Sequence, residues 1–214
     1  MKKVTRLVIQ QRNKERVNVY LDDEFAFGLA LMEAVQLKVG QTLTDEQIAD
    51  LKDEDQYHKA YSRSLDYLSR RPRSRQEIER YLKGKEVPEP TIERVVARLT
   101  KAQFLDDLAF AHYWIENRDA FRPRGVRALR YELRQKGLDE TIINEALNSS
   151  ELDEIDSAYR VGAKQLYRLQ SIEDRREFQQ RLATYLARRG FNWETIREVS
   201  EQLWNDRNEP DLEF

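Results

Sequence analysis

The sequence predicts an all-α protein: tandem three-helix repeats in an elongated curved array, with a small N-terminal module containing a β-hairpin. Three observations predict it. From about Tyr57 an apolar pattern at helical spacing recurs three times with a period near fifty residues. The 214 residues are 36% charged and 40% hydrophobic with only 7 glycines and 5 prolines, a composition that suits long amphipathic helices. The only β-rich text lies ahead of the repeats, within residues 4–21.

In chain order, "VTRLVIQ" and "RVNVYL" alternate apolar and polar residues and flank the polar "QRNKE", which reads as a β-hairpin. "DDEFAFGL" follows as a short third strand or turn ending at Gly28. "ALMEAVQLK" is a short helix closed by Gly40. Thr44 and Gln47 form a capping box that opens the next helix. An isolated hairpin is marginal in water, so this module packs on its own helices or on its neighbour.

The repeat is carried by "EIERYLKGKEVPEPTIERVVARL", "ALRYELRQKGLDETIINEAL" and "RLATYLARRGFNWETIREVSEQL", which start 51 and 53 residues apart. Each holds an apolar pair four apart: Ile78/Leu82, Leu129/Leu133 and Leu182/Leu186. Five residues on come Val87, Leu138 and Phe191, and five further Ile92, Ile143 and Ile196. A glycine breaks each helix nearby, at Gly84, Gly137 and Gly190. Helix one is "YHKAYSRSLDYLSRR", "DDLAFAHYWIENRDAF" and "EIDSAYRVGAKQLYRL" in the successive copies. Helix two carries the pair, and helix three follows the glycine. Ser74 with Glu77 caps helix two of the first copy, and Asp139 and Asn192 cap helix three in the later ones. The predicted organisation is an N-terminal module at 1–56, repeats at 57–105, 106–154 and 155–207, and a C-terminal tail at 208–214.

Net charge is −2, too balanced for a protein that coats nucleic acid. Residues 57–105 are the exception, with 12 Lys/Arg against 6 Asp/Glu, net +6. The links between helices one and two hold the arginines: Arg70, Arg71, Arg73 and Arg75 in "SRRPRSR"; Arg118, Arg122, Arg124, Arg127 and Arg130 in "RDAFRPRGVRALR"; Arg175 and Arg176 in "QSIEDRREFQQR". If the repeats stack in register these links share one side, with Arg122, Arg124, Arg127 and Arg130 as a ladder. A guanidinium fork suits carboxylate or phosphate. These eleven arginines are the candidate binding residues for a partner protein or DNA. The plainer reading is a solvated surface in which Glu77, Glu79, Asp119 and Glu132 pair with them, since an exposed pair contributes only ~0–1 kcal/mol and stability does not demand the clustering.

No catalytic constellation is visible. With no cysteine, disulfides, thiol nucleophiles and Cys-based metal sites are excluded, which fits a reducing cytosol. His58 and His112 lie in different repeats, Asp106/Asp107 read as a helix cap, and no phosphate-cradling glycine loop or Gly-x-Ser-x-Gly occurs. Phe110, Tyr113 and Trp114 read as core, and Tyr81, Tyr131 and Tyr185 as packing between helices. No apolar run approaches the ~18 residues of a membrane span. No signal peptide is visible, so the chain reads as soluble and cytoplasmic. No heptad seam requires a dimer, so it reads as a monomer.

"YLSRRPRSRQEIERYL", "FLDDLAFAHYWIENR" and "RPRGVRALRYELRQKGLDETIINEAL" resemble the RecX family of recombination regulators. The likeness covers about residues 57–205, is weakest in the third repeat, and extends to the N-terminal module as the extension of the longer members. It implies tandem three-helix repeats and a non-enzymatic protein without a cofactor. It also implies binding to the RecA recombinase filament on DNA, with inhibition of strand exchange and ATP hydrolysis. Recombination, DNA repair and the SOS damage response are thereby restrained. Some members bind DNA directly, single- or double-stranded. Two other classes stay open on the residues alone: a DNA-binding module placing helix two or three in a groove, and a helical adaptor for another partner.

Overall fold

A computed structural model describes residues 1–207; the tail expected at 208–214 lies outside them. These residues form two compact units, Met1–Arg71 with Ile78–Leu105, and Pro72–Glu77 with Asp106 and the chain after it.

In the first unit the alternating segments are β1 (Lys2–Ile9) and β2 (Arg16–Leu21), antiparallel, with Val8 opposite Asn18 and Ile9 opposite Val17. The hairpin is part of a larger sheet. The third segment is a true strand, β3 (Glu24–Ala30), and a short β4 (Thr42–Leu43) pairs with β1, giving the order β3-β2-β1-β4. Period-two alternation buries Val17, Val19 and Leu21 on one face of β2, and Phe27 and Leu29 of β3 join them. The helix expected over 30–38 is one turn, α1 (Leu31–Ala34). Val35 and Val39 are exposed, and the chain reverses at Gly40, φ +93°, to deliver β4.

Helix α2 (Asp45–Leu68) opens with the predicted capping box: Thr44 Oγ1 accepts from the Gln47 amide at 3.2 Å, and Gln47 Oε1 accepts from the Thr44 amide at 2.9 Å. No glycine or proline interrupts the chain between Gly40 and Pro72, so the helix runs through 56/57, where the sequence suggests a boundary. Its first half covers the sheet through Ile48 and Leu51. Its second half contributes Tyr57 and Ala60 to the core of the first repeat, with Ile78, Leu82, Val95 and Leu99 from α3 (Arg75–Lys83) and α4 (Glu89–Lys101). Buried Asp55 receives Arg16 Nη2 at 2.8 Å and ties helix to sheet.

The second repeat is α5 (Asp107–Phe121), α6 (Val126–Gln135) and α7 (Glu140–Ser149); the third is α8 (Glu154–Ala163), α9 (Leu166–Leu169), α10 (Arg175–Ala187) and α11 (Trp193–Asp206). Each has its own core, and all three apolar pairs are at most 1% exposed. Helix one of the third repeat is broken into α8 and α9. The break follows Gly162, where a Cβ would stand 2.5 Å from Leu203 Cδ1 of α11, so the helix runs as close as a bare glycine allows. Gly137 and Gly190 both have φ +85°; in the first repeat the left-handed residue is Glu86 rather than Gly84. Asp106, Asp139 and Asn192 cap their helices as expected. Tyr131 differs from expectation: it is 62% exposed, while Tyr81 stacks on Tyr67 at 4.2 Å. No helix among the described residues is long and apolar enough to cross a membrane.

Candidate functional site

Two of the three links that hold the arginines are structural joints within the second unit, and they are built alike. In the first, Ser74 at the start of α3 donates its Oγ to the Lys136 carbonyl at 2.6 Å, and the Arg75 amide donates to Asp107 Oδ1 at 2.8 Å. In the second, 51 residues on, the Gly125 amide donates to the Arg189 carbonyl at 3.1 Å and the Val126 amide to Glu154 Oε1 at 2.9 Å. The start of helix two thus seats on the glycine turn of the following repeat. The acid at the first position of that repeat's helix one accepts an orphan amide of helix two. A Cβ on Gly125 would lie 2.3 Å from the Gly190 backbone, and one on Gly190 would lie 2.5 Å from the Ala128 nitrogen. Burial, opposed by the Arg75 amide, holds the Asp107 carboxyl above its ordinary range. The folded chain therefore takes up that proton more readily than the unfolded one, so the ionised carboxyl opposes folding at neutral pH and ceases to as pH falls. Asp107→Asn keeps the acceptor and removes the charge. It is expected to melt at the same or a higher temperature than the parent at pH 7, with the difference shrinking by pH 4. A lower melting temperature at pH 7 would mean the charge itself holds the joint.

The two joints differ in what stands beside the arginines. At the first, Trp114 and Glu132 fill the space. The indole Nε1 donates to Glu132 Oε2 at 2.8 Å, Arg118 Nε donates to the same oxygen at 2.7 Å, and the Arg118 and Lys136 cations lie 4.7 and 4.6 Å from the indole ring. Lys136 Nζ also bonds Glu77 at 3.0 Å, and Arg73 lies 3.9 Å from Glu77. At the second, the equivalent positions are Val161 and Tyr185. The smaller valine and the uncharged tyrosine leave an open cleft of about 210 Å³, lined by Phe121, Arg122, Arg124, Lys164, Tyr185 and Arg189 among others. Its lining holds four cations and no carboxylate. Arg124 is 4.0 Å from Glu132; Arg122, Lys164 and Arg189 have no carboxylate partner among the described residues. Arg189 lies 3.7 Å over the Tyr185 ring, and Phe121 is 77% exposed.

Of the predicted arginines, the fold brings Arg122 and Arg124 together in this cleft. Arg130 turns away to Glu140 at 2.9 Å and Asn144 at 2.6 Å, so the four-residue ladder is not one row. Arg127 is exposed on α6. Arg118 and Arg73 belong to the filled joint. Arg75 is exposed and serves through its backbone, Arg70 is exposed, and Arg71 is half-buried. Arg175 pairs with Glu201 at 2.8 Å and Arg176 is exposed on α10, neither lining the cleft. No group of three His, Cys, Asp or Glu among the described residues is placed to hold a metal ion.

Four family models match in chain order: "Regulatory protein RecX N-terminal domain" over residues 2–44 and the RecX first, second and third three-helix domains over 60–99, 106–147 and 152–199. "Regulatory protein RecX" of Clostridium tetani is 32% identical over 205 residues, 94% of each chain. The chain belongs to the RecX family. The RecX of Bacillus subtilis is 32% identical over 96% of this chain and 79% of its own. A crystal structure titled regulatory protein RecX superposes with TM-score 0.75 at 30% identity, covering 94% of this chain and all of the other. That of RecX from Lactobacillus salivarius, at 22% identity and TM-score 0.64, covers 71% of this chain and 99% of its own and shares the fold. The sequence features that mark the RecX resemblance are the joint itself: Arg-Pro-Arg with Ser74 or Gly125, the Asp-Asp start of α5, and the Lys-Gly turn. Sequence reasoning missed Lys164 and Arg189. Arg189 was legible as the counterpart of Lys136, one residue before the glycine; Lys164 has no sequence signal apart from its charge.

Proposed function

We propose that this RecX-family chain acts as a monomer, without a cofactor and without catalysis. It binds the RecA recombinase filament on DNA and inhibits its strand exchange and ATP hydrolysis, restraining recombination, repair and the SOS response. The partner follows from family membership and the resemblance. What supports a docking role on this chain is the open cleft at the second joint. Its four cations line a cavity without a carboxylate, while the matching space at the first joint is filled and neutralised. Acidic side chains or phosphates of a filament are the complementary surface. One observation favours a second reading, direct binding of single-stranded DNA: exposed Phe121 stands beside the cations, the pairing of stacking ring and phosphate contact that such sites use.

The test is DNA-dependent ATP hydrolysis by the cognate RecA with this protein titrated in at physiological salt. Inhibition well below one molecule per recombinase protomer is expected. No inhibition, with tight and salt-sensitive binding to bare DNA in the same buffer, would overturn the filament reading in favour of the second.

A further inference from the structure

The first unit holds a separate cationic cleft that none of the predicted arginines lines. It has a volume of about 440 Å³ and is lined by β3, by one face of α2 and by the turn between α3 and α4. Lys52, Lys59 and Arg63 project from α2 at helical spacing, and Lys85 comes from the turn. One carboxylate, Asp55, lies in the lining. It is 5% exposed and already bound by Arg16 at 2.8 Å and Lys59 at 2.5 Å. Lys52, Arg63 and Lys85 have no carboxylate partner among the described residues. Three of the four cations, Lys59, Arg63 and Lys85, belong to residues 57–105, which carry 12 Lys/Arg against 6 Asp/Glu.

We propose that this cleft binds a small polyphosphate, such as the triphosphate of a free nucleotide. One helix and one turn direct four cations at one cavity, which matches a ligand carrying several negative charges within a short length. Acidic side chains on a peptide are spaced more widely along their backbone. Lysine ammoniums are compact point charges suited to phosphate oxygens. The volume lies in the range of small-molecule sites. Nucleic acid fits less well. The only aromatic ring in the lining, Phe27, is 8% exposed and faces the Lys52 ammonium at 5.6 Å, so bases have nothing to stack on. A duplex does not enter a recess of this size, since it is read by elements that protrude into its grooves.

Isothermal titration of the full chain with sodium triphosphate, with ATP and with a single-stranded oligothymidylate tests this. Saturable one-to-one binding of both triphosphate and ATP is expected, in the range of about 10–100 µM. A ligand held by the folded state alone also raises the melting temperature. The combined variant Lys52→Ala, Arg63→Ala, Lys85→Ala changes only exposed side chains and keeps the fold, and it should weaken both at least about tenfold. Arg134→Ala, in the other unit and lining neither cleft, should leave them unchanged. The proposal is overturned if neither phosphate binds at millimolar concentration, if the triple variant binds as the parent does, if ATP binds but triphosphate does not, or if only the oligonucleotide binds.

Discussion

Gly190→Ala is expected to destabilise the second unit by about 3 kcal/mol. Two physical terms combine. At φ +85° an alanine is in the left-handed region, which costs about 1–2 kcal/mol. Its Cβ would also stand 2.4 Å from Ala128 Cβ and 2.5 Å from the Ala128 nitrogen, and backbone within a helix does not move aside as a flexible side chain does. Gly40→Ala separates the terms, since Gly40 has φ +93° with nothing within 4 Å of an added Cβ; it should lose only about 1 kcal/mol. Gly125→Ala supplies the converse. Its φ of −69° and ψ of 158° suit any residue, so its whole cost is collision with the backbone of Gly190 and Phe191. Because both changes open the same joint, the double variant should cost less than the two added together. All three tryptophans, Trp114, Trp193 and Trp204, lie in the second unit, so urea unfolding followed by fluorescence reads that unit, while Gly40→Ala, in the first unit, is read by circular dichroism of the whole chain. A Gly190→Ala variant no less stable than Gly40→Ala relative to the parent would dispose of the joint as a rigid element.

The repeats were legible because a three-helix core needs the same apolar positions each time, and period 3.6 with an apolar pair and a glycine stop is a strong local signal. The caps were legible for the same reason: Ser74, Asp139 and Asn192 act within three residues of themselves. The N-terminal sheet was partly legible. β4 is two residues long and exists because the turn at Gly40 returns the chain to β1, a long-range pairing that no local pattern announces. The broken third helix was hidden in the same way, since the close approach at Gly162 depends on Leu203, forty-one residues away.

The arginines show where sequence reasoning stops. "RPR" occurs twice with the same flanking pattern, and the two copies have different surroundings. What distinguishes them is the residue opposite: Trp114 and Glu132 at one joint, Val161 and Tyr185 at the other. Clustering of positive charge therefore has two meanings in one chain. Around Glu132 and Glu77 it is an internal network of largely buried side chains that closes a joint. Around Lys164 and Arg189 it is charge without local compensation, the condition under which a surface attracts an anionic partner.

Arg122→Glu combined with Lys164→Glu is accordingly expected to weaken inhibition of the recombinase by at least about tenfold, with helical content unchanged. Both side chains border the cleft and neither is tied to a carboxylate among the described residues, so reversal leaves two cations facing two carboxylates and cancels the cleft's charge without breaking an internal pair. The control is Arg134→Ala. Arg134 carries the same formal charge, but its guanidinium is bound to Glu140 at 2.7 and 2.9 Å, so its loss should leave inhibition within about twofold of the parent. Salt adds a second axis. If the cleft steers encounter, the parent's inhibition should fall between 50 and 300 mM salt while the reversed variant's changes little, because exposed charges are screened beyond about 10 Å at 0.1 M. Equal inhibition by parent and reversed variant would remove the cleft from the docking surface. The exposed Arg127 on α6, and Arg70 and Arg176, would then be the next positions to reverse, since they are predicted arginines that the fold leaves exposed.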